Sequence, residues 1–207
     1  MAISLGFIVM KRVLDFFVSL VIMILLTPLI CLVSLAIFIK MGSPVIFVQR
    51  RPGLHGIPFV MYKFRTMTNE KDANGNLLPN EQRLNSLGKF LRSTSLDELP
   101  ELVNVLKGEM SLVGPRPLLM EYLDLYSNFE ARRHEVKPGL TGYAQVNGRN
   151  DVSWAKRFDM DVWYVDNQSL KLDISILAKT VLKVIKREGI SQPGSSTIKR
   201  FEGHKRD

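Results

Sequence analysis

The chain has little of what usually builds a disulfide scaffold or a zinc site. It has one cysteine in 207 residues, Cys31, so an intramolecular disulfide framework is excluded and a reducing, cytoplasm-facing fold is expected. The three histidines, His55, His134 and His204, lie far apart without the short spacings that zinc ligation uses. Negative charge is also scarce. Against 28 Lys and Arg stand 20 Asp and Glu, a formal charge of +8 with a pI near 9.7. That surplus favours an anionic partner, whether phosphate groups, acidic lipid or nucleic acid. Aromatic residues make up only 9%. The basic segments lack the interleaved rings that stack bases, apart from Tyr62 and Phe64, so no nucleic-acid partner is expected. No internal repeat is visible, and the length suits one domain, 1–207, with an anchor.

What the chain does have is a membrane-length apolar run. Residues 16–39 carry no charge and are bounded by Lys11, Arg12 and Asp15 on one side and Lys40 on the other. At ~1.5 Å per residue a helix of that length exceeds the ~30 Å hydrocarbon core. Pro28 in its middle removes a helical hydrogen bond and crowds the preceding turn, while Thr27 can offer its hydroxyl to a freed carbonyl. Basic residues stand at both ends, Lys11 and Arg12 before and Lys40, Arg50 and Arg51 after, so the positive-inside bias names no translocated end. A helix-break-helix over 8–40 that dips into one leaflet and returns meets both observations; a kinked spanning helix is the alternative. A cleaved signal peptide fits less well, because the run outlasts an h-region of roughly 7 to 15 residues and its small pair, Ser34 and Ala36, lies inside it.

Beyond the run, residues 45–49 and 59–67 read as strands joined through Arg51-Pro52-Gly53-Leu54-His55-Gly56, a hairpin. Two-residue periodicity puts Lys63 and Arg65 on one face of the second strand and Tyr62 and Phe64 on the other. Residues 68–86, with Asn69, Asp72, Asn74, Gly75, Asn76 and Pro79, form a polar stretch too long for a simple connector and read as a lid or substrate loop. Helices are expected over 99–107 with Gly108 as C-cap, over 118–136 until Lys137-Pro138-Gly139, around 154–165 and around 173–187. The last alternates Leu177, Val181, Val184 and Ile185 with Lys179, Lys183, Lys186 and Arg187. That pattern suits a membrane interface or core packing with a solvated back face. Residues 190–207 turn to Ser, Gly and Lys and read as a flexible tail.

Ser95-Leu96-Asp97-Glu98, taken alone, is a capping box with Ser95 as N-cap. Its neighbours give it a second meaning. Lys63, Arg65, Arg92 and Arg116 supply basic groups for an anionic substrate, and two adjacent carboxylates can hold Mg²⁺ while one serves as nucleophile. A carboxylate repels a phosphate diester unless cations neutralise the oxygens, so such a nucleophile needs that company. Pro115 and Pro117 fix the backbone around Arg116 and lower the entropy cost of aiming its fork; an ordinary extended linker is the plain alternative.

At this point the chain resembles the bacterial sugar transferase family, specifically the small monotopic phosphoglycosyl transferases that begin membrane-bound glycan assembly. The matching segments are Lys63-Phe64-Arg65-Thr66-Met67, Arg92 through Asp97-Glu98-Leu99-Pro100, Asn104-Val105-Leu106-Lys107-Gly108-Glu109-Met110-Ser111, Gly114-Pro115-Arg116-Pro117, Pro138-Gly139-Leu140-Thr141-Gly142 and Gln145-Val146-Asn147-Gly148-Arg149-Asn150. They run in family order over about residues 8–203.

The resemblance implies a helix-rich α+β fold, monotopic at the bacterial inner membrane. It would have a re-entrant N-terminal helix broken at Thr27-Pro28, a small β-hairpin, interfacial amphipathic helices and a catalytic part, 41–189, facing the cytoplasm. It also implies a two-step reaction. Asp97 would attack the β-phosphate of a UDP-sugar and release UMP, and undecaprenyl phosphate would then take the sugar phosphate from the enzyme. In that scheme Asp97 is nucleophile and magnesium ligand, and Glu98 positions groups or assists proton movement. Lys63, Arg65, Arg92 and Arg116 hold phosphates and nucleotide, with Arg149 in the same cluster.

Val103, where an aromatic is frequent, and Lys137, where Arg is usual, depart from the pattern without touching the chemistry. The stretches 71–79 and 189–201 resemble enzymes of glycoprotein pathways acting on a UDP-linked N-acetylated or diacetamido sugar. Two other classes remain open to the sequence: a non-catalytic, membrane-tethered anion-binding protein, and a hydrolase passing the same intermediate to water.

Overall fold

A computed structural model describes residues 5–148, 152–186 and 200–203. One long helix, α1 (Leu5–Met41), leads into an antiparallel hairpin of β1 (Ile46–Pro52) and β2 (Pro58–Phe64), in which Ile46 faces Phe64 and Pro52 faces Pro58. Then come α2 (Asn80–Arg83), α3 (Ser86–Ser93), a 3-10 turn at Leu96–Glu98, α4 (Glu101–Lys107) and β3 (Ser111–Val113). After a 3-10 stretch at Met120–Leu125, α5 (Asn128–Ala131) and a 3-10 turn at Arg132–His134, β4 (Gly139–Thr141) pairs in parallel with β3. The chain continues through α6 (Tyr143–Asn147), α7 (Trp154–Asn167) and α8 (Leu170–Lys186). The helix-rich α+β architecture expected from the sequence is present.

Helix α1 serves two cores. Its Ile22 and Met23 meet a cluster built from Phe59 and Met61 of β2, Leu102 and Val105 of α4, Leu112 and Val113 of β3, Tyr164 of α7 and Ile176 of α8. Its Leu29, Ile30, Val33 and Ile37 meet Phe64 and Leu91. These positions are related by steps of three, four and seven residues and form one stripe along the helix. Elsewhere on α1, Leu14, Phe17, Val21, Leu25, Leu32, Leu35 and Phe38 are exposed. The most apolar stretch has a mean hydropathy of 2.9 and is 11% buried, so one side suits hydrocarbon and the other suits protein.

Polar ties fix the near end. Lys11 pairs with Asp173 of α8, buried Asp15 accepts from the Leu112 amide at 3.2 Å, and Arg12 donates to the carbonyls of Val105 at 2.6 Å and Leu106 at 2.7 Å. Arg12 thus joins the Gly108 amide at the Val105 carbonyl and supplies a donor to the Leu106 carbonyl at the end of α4.

Several expectations need correction. α1 runs unbroken through Pro28, so the expected helix-break-helix is one helix. Each half packs on its own cluster, on either side of Thr27-Pro28, and the Thr27 hydroxyl donates to the Met23 carbonyl at 2.8 Å. No single helix covers 118–136. Tyr122 and Tyr126 turn into an aromatic cluster with Phe158, Trp154 and Phe201, and a capping box at Ser127 and Glu130 restarts the helix there. β2 ends at Phe64, three residues before the expected limit. The pair β3–β4 and helix α6 had no clear periodicity to announce them, whereas α3 was passed over although Leu87, Phe90 and Leu91 repeat at helical spacing. The end of α4 is as expected, with Gly108 at φ 84° in the left-handed region. The tail from 190 to 199 and from 204 onward lies outside the described residues.

Asn104 joins α4 to the hairpin. It is fully buried, accepts from the Tyr62 amide at 3.1 Å and donates to the Val60 carbonyl at 2.7 Å and to Glu109 Oε2 at 2.7 Å. Asn104→Ala strands two buried backbone groups of β2. A loss of about 3 kcal/mol is expected in denaturant unfolding in detergent, against well under 1 kcal/mol for an exposed substitution such as Lys89→Ala.

Candidate active site

Four segments converge at one end of the hairpin. The end of β2 carries Lys63, the last turn of α3 carries Arg92, the 3-10 turn carries Asp97 and Glu98, and the extended Pro115-Arg116-Pro117 carries Arg116. Close backbone approaches set their positions. A Cβ on Gly88 would stand 1.9 Å from the Thr66 carbonyl oxygen, so only glycine lets α3 seat against the strand exit. One helical turn later, Arg92 Nε donates to Thr66 Oγ1 at 3.1 Å. A Cβ on Gly139 would stand 2.1 Å from the Gly114 nitrogen, so β3 and β4 meet backbone to backbone beside Pro115.

The seat of Arg116 is completed from behind. The Gly139 amide donates to the Pro115 carbonyl at 3.0 Å. Arg133, fully buried, donates through Nη2 to the Arg116 carbonyl at 2.7 Å and to Asp161 Oδ2 at 2.7 Å.

The expected capping box at Ser95 is absent. Ser95 adopts φ 55°, a left-handed conformation that costs a non-glycine residue of order 1 kcal/mol, and its side chain caps nothing. Glu98 turns inward, where its Oε1 accepts from Lys63 Nζ at 2.9 Å and from Arg116 Nη2. Two cations are a stronger partner than one backbone amide.

The adjacent acids therefore have opposite characters. Burial acts to raise Glu98, but Arg116 and Lys63 outweigh it and hold the carboxyl at about 2, so it is ionised near neutral pH. Asp97 accepts no hydrogen bond among the described residues. Burial, and then the charge of Glu98, raise it to about 6 against the pull of Lys63, Arg116 and Arg92. Arg116 is held firmly protonated by Glu98, and its side chain is 41% exposed, open to a ligand.

Of the residues singled out from sequence, Lys63, Arg92, Asp97, Glu98 and Arg116 come together. Arg65 does not. Its amide still donates to the Val45 carbonyl across the hairpin at 2.9 Å, but its side chain reaches back to the end of α1 and not to the acids. The Arg65 guanidinium is buried against the end of α1, donating to the carbonyls of Met41, Gly42 at 2.6 Å and Ser43 at 3.3 Å. It is a structural clasp rather than a ligand-facing group. Arg149 lies outside the described residues.

Sequence reading passed over two residues of this neighbourhood. Glu101 follows Glu98 by three positions, the spacing of one helical face. Arg51 stands on β1 opposite Phe59 and lines the same small cavity as Lys63, Glu101 and Arg116. Among the described residues no group of three or more His, Cys, Asp or Glu side chains forms a metal cage. A magnesium ion needs less, since it is commonly held by one or two carboxylates with substrate oxygens and water. The unpaired Asp97 carboxylate fits that requirement.

The family model described as bacterial sugar transferase matches residues 7–187. The chain is 57% identical over 196 residues to the uncharacterized sugar transferase EpsL of Bacillus subtilis, covering 94% of this chain and 96% of that one. It is 41% identical over 197 residues to the undecaprenyl-phosphate galactose phosphotransferase of Salmonella typhimurium, covering 87% of this chain and 41% of that one. A UDP-glucose:undecaprenyl-phosphate glucose-1-phosphate transferase of Escherichia coli is 40% identical over 185 residues, covering 84% of this chain and 40% of the relative. The chain thus spans about two-fifths of those two longer transferases.

Arg65 and Arg116 give a direct contrast. Arg65→Met is expected to lower unfolding stability by about 1–3 kcal/mol, leaving carbonyls of a helix end without a donor, and to leave affinity for a pyrophosphate probe unchanged. Arg116→Lys keeps the charge but loses the fork, and is expected to weaken pyrophosphate binding at least about tenfold by calorimetry.

Proposed function

The chain belongs to the bacterial sugar transferase family, and we propose that it moves a sugar 1-phosphate from a UDP-sugar to undecaprenyl phosphate, releasing UMP. The observation that carries this reading is the split between neighbouring acids: Glu98 permanently charged and held by Lys63 and Arg116, Asp97 unpaired and able to change charge near neutrality. Two titratable groups pushed apart by their surroundings mark different roles.

In the first step an Asp97 carboxylate oxygen attacks the β-phosphorus. The bond from that phosphorus to the oxygen bridging to the α-phosphate breaks, and the electron pair leaves with UMP. The sugar phosphate remains as an acyl phosphate on Asp97. In the second step a phosphate oxygen of undecaprenyl phosphate attacks the same phosphorus and the Asp97 carboxylate departs, giving a polyprenyl diphosphate sugar. Proton transfer is not needed in either displacement, which suits a Glu98 that never protonates. Its part is to keep Lys63 and Arg116 at the phosphates, with Arg92 beside Asp97. Asp97 together with the donor's phosphate oxygens would hold Mg²⁺, whose charge would offset that of the phosphates when bound.

The same reading places the protein on one face of the bacterial inner membrane, with its catalytic part toward the cytoplasm. Support comes from α1: the globular part touches it from Lys11 to Ile37, which fits a helix held beside the body better than one leaving it to cross a bilayer. The relatives' names specify galactose and glucose for those proteins. For this chain we propose a UDP-linked N-acetylated or diacetamido sugar and a role at the start of membrane-bound or glycoprotein glycan assembly.

The test is UMP release across a panel of UDP-sugars in lipid nanodiscs. With the correct donor and no undecaprenyl phosphate, one UMP per enzyme and a phosphosugar adduct by intact mass are expected; acceptor then permits turnover. Asp97→Asn should abolish both the burst and the adduct. Undiminished turnover in that variant would remove Asp97 from its role, and acceptor-independent turnover would make the protein a hydrolase.

The pH dependence has a definite sign. Asp97 attacks only as the anion and its carboxyl lies at about 6. The kcat/KM for UMP release is therefore expected to fall about tenfold per pH unit below that value.

A further inference from the structure

Glu101 has no part in the displacement above, yet it is the most buried acid of the site at 2% exposure. As the first residue of α4 it turns the same way as Glu98, and its Oε1 lies 2.9 Å from Lys63 Nζ, the distance that also separates that ammonium from Glu98 Oε1. The two contacts are not equivalent. Lys63 donates to Glu98 in full hydrogen-bond geometry, whereas its contact with Glu101 Oε1 at the same distance is an ion pair.

Glu101 borders a cavity of about 30 Å³ shared with Arg51, Lys63, Arg116, Met61 and Pro117. In this neighbourhood the buried Arg51 Nε also lacks a partner. A polar cavity of that size holds a water molecule and gives a proton a way in. The charged groups facing Glu101 are Arg51 from β1, Lys63 from β2, Glu98 from the 3-10 turn and Arg116 from the extended segment. Burial, then the neighbouring Glu98 charge, raise Glu101 to about 7.

We propose that Glu101 is a positioning residue that decides where Lys63 spends its charge. As an anion it shares the ammonium with Glu98 and draws it toward the cavity. As the neutral acid it leaves Lys63 to Glu98 and to the phosphates of an arriving anionic donor. Neutralising Glu101 also adds one positive charge to the site, so donor affinity and protonation of Glu101 rise together. This inference rests on the transferase reading above for the identity of the donor, but not for the coupling between Glu101 and Lys63.

The experiment compares wild type and Glu101→Gln in nanodiscs without acceptor, between pH 6 and 8.5, where a nucleotide diphosphate sugar does not change charge. In wild type the donor concentration giving half the maximal rate of the UMP burst is expected to rise about threefold to tenfold as pH rises, with a midpoint near 7, the size of one added charge at a partly screened distance. In Glu101→Gln it should stay at the low-pH value throughout. Profiles with the same pH dependence, whether superimposed or offset by a constant factor, overturn the proposal, because loss of packing in the variant would shift it equally at every pH.

Carboxyl ¹³C titration supplies a readout free of turnover. A resonance changing near neutrality in wild type, missing in Glu101→Gln and moved upward in Lys63→Met, supports the coupling; its absence from wild type overturns it. Failure of every donor to release UMP would instead defeat the transferase reading, and the carboxyl titration would still decide the coupling of Glu101 to Lys63.

Discussion

The site depends on the capture of Glu98 by two cations. Without Lys63 and Arg116 at its carboxylate, a half-buried acid beside Asp97 would share a proton with it, as close carboxylates do. With them, Glu98 is a fixed anion, and everything else follows from its permanence. It orients the exposed fork of Arg116 and holds the Lys63 ammonium. Its charge, together with burial, keeps the carboxyl of Asp97 well above that of an ordinary aspartate. One ion cluster thus provides both a cationic wall and, beside it, an acid whose charge changes near neutrality.

A second constraint comes from the lipid side. α1 must present an apolar surface outward while offering a stripe to the body of the protein, and the two cores on either side of Thr27-Pro28 divide that stripe between them. Polar locks close both ends: Lys11 with Asp173 and Arg12 on the end of α4 at one, Arg65 on the last carbonyls at the other. Arg12 grips the C-terminal end of the helix whose first residue is Glu101. Anchor and reaction centre are therefore adjoining parts of one packed unit.

Legibility in the sequence followed the range of the interaction. The hairpin, the Gly108 cap, α7 and α8 are local patterns of alternation, left-handed glycine and helical spacing, and they were readable. The same is true of Asp97, Glu98, Lys63, Arg92 and Arg116, where charge type and motif resemblance agreed. Arg65 misled because two-residue periodicity was extended past the point where the strand ends, and what claims its guanidinium is a helix terminus 24 positions earlier. Ser95 misled because a capping box is a local rule, and Glu98 had stronger partners 35 and 18 positions away. The parallel β3–β4 pair is three residues long on each side, too short for any period. Its signal was glycine at 114 and 139, which becomes meaningful only once the two strands are known to touch.

The backing of Arg116 has an implication for how the protein is made. Its carbonyl is held by Arg133, which in turn needs Asp161, so the wall behind the reactive acid is supplied by the last quarter of the chain. While the ribosome is still adding α7, the N-terminal helix is already free to enter lipid and the acid turn has already emerged, but the arginine that completes it has no seat. A chain cut short before residue 161 therefore lacks the support behind that arginine.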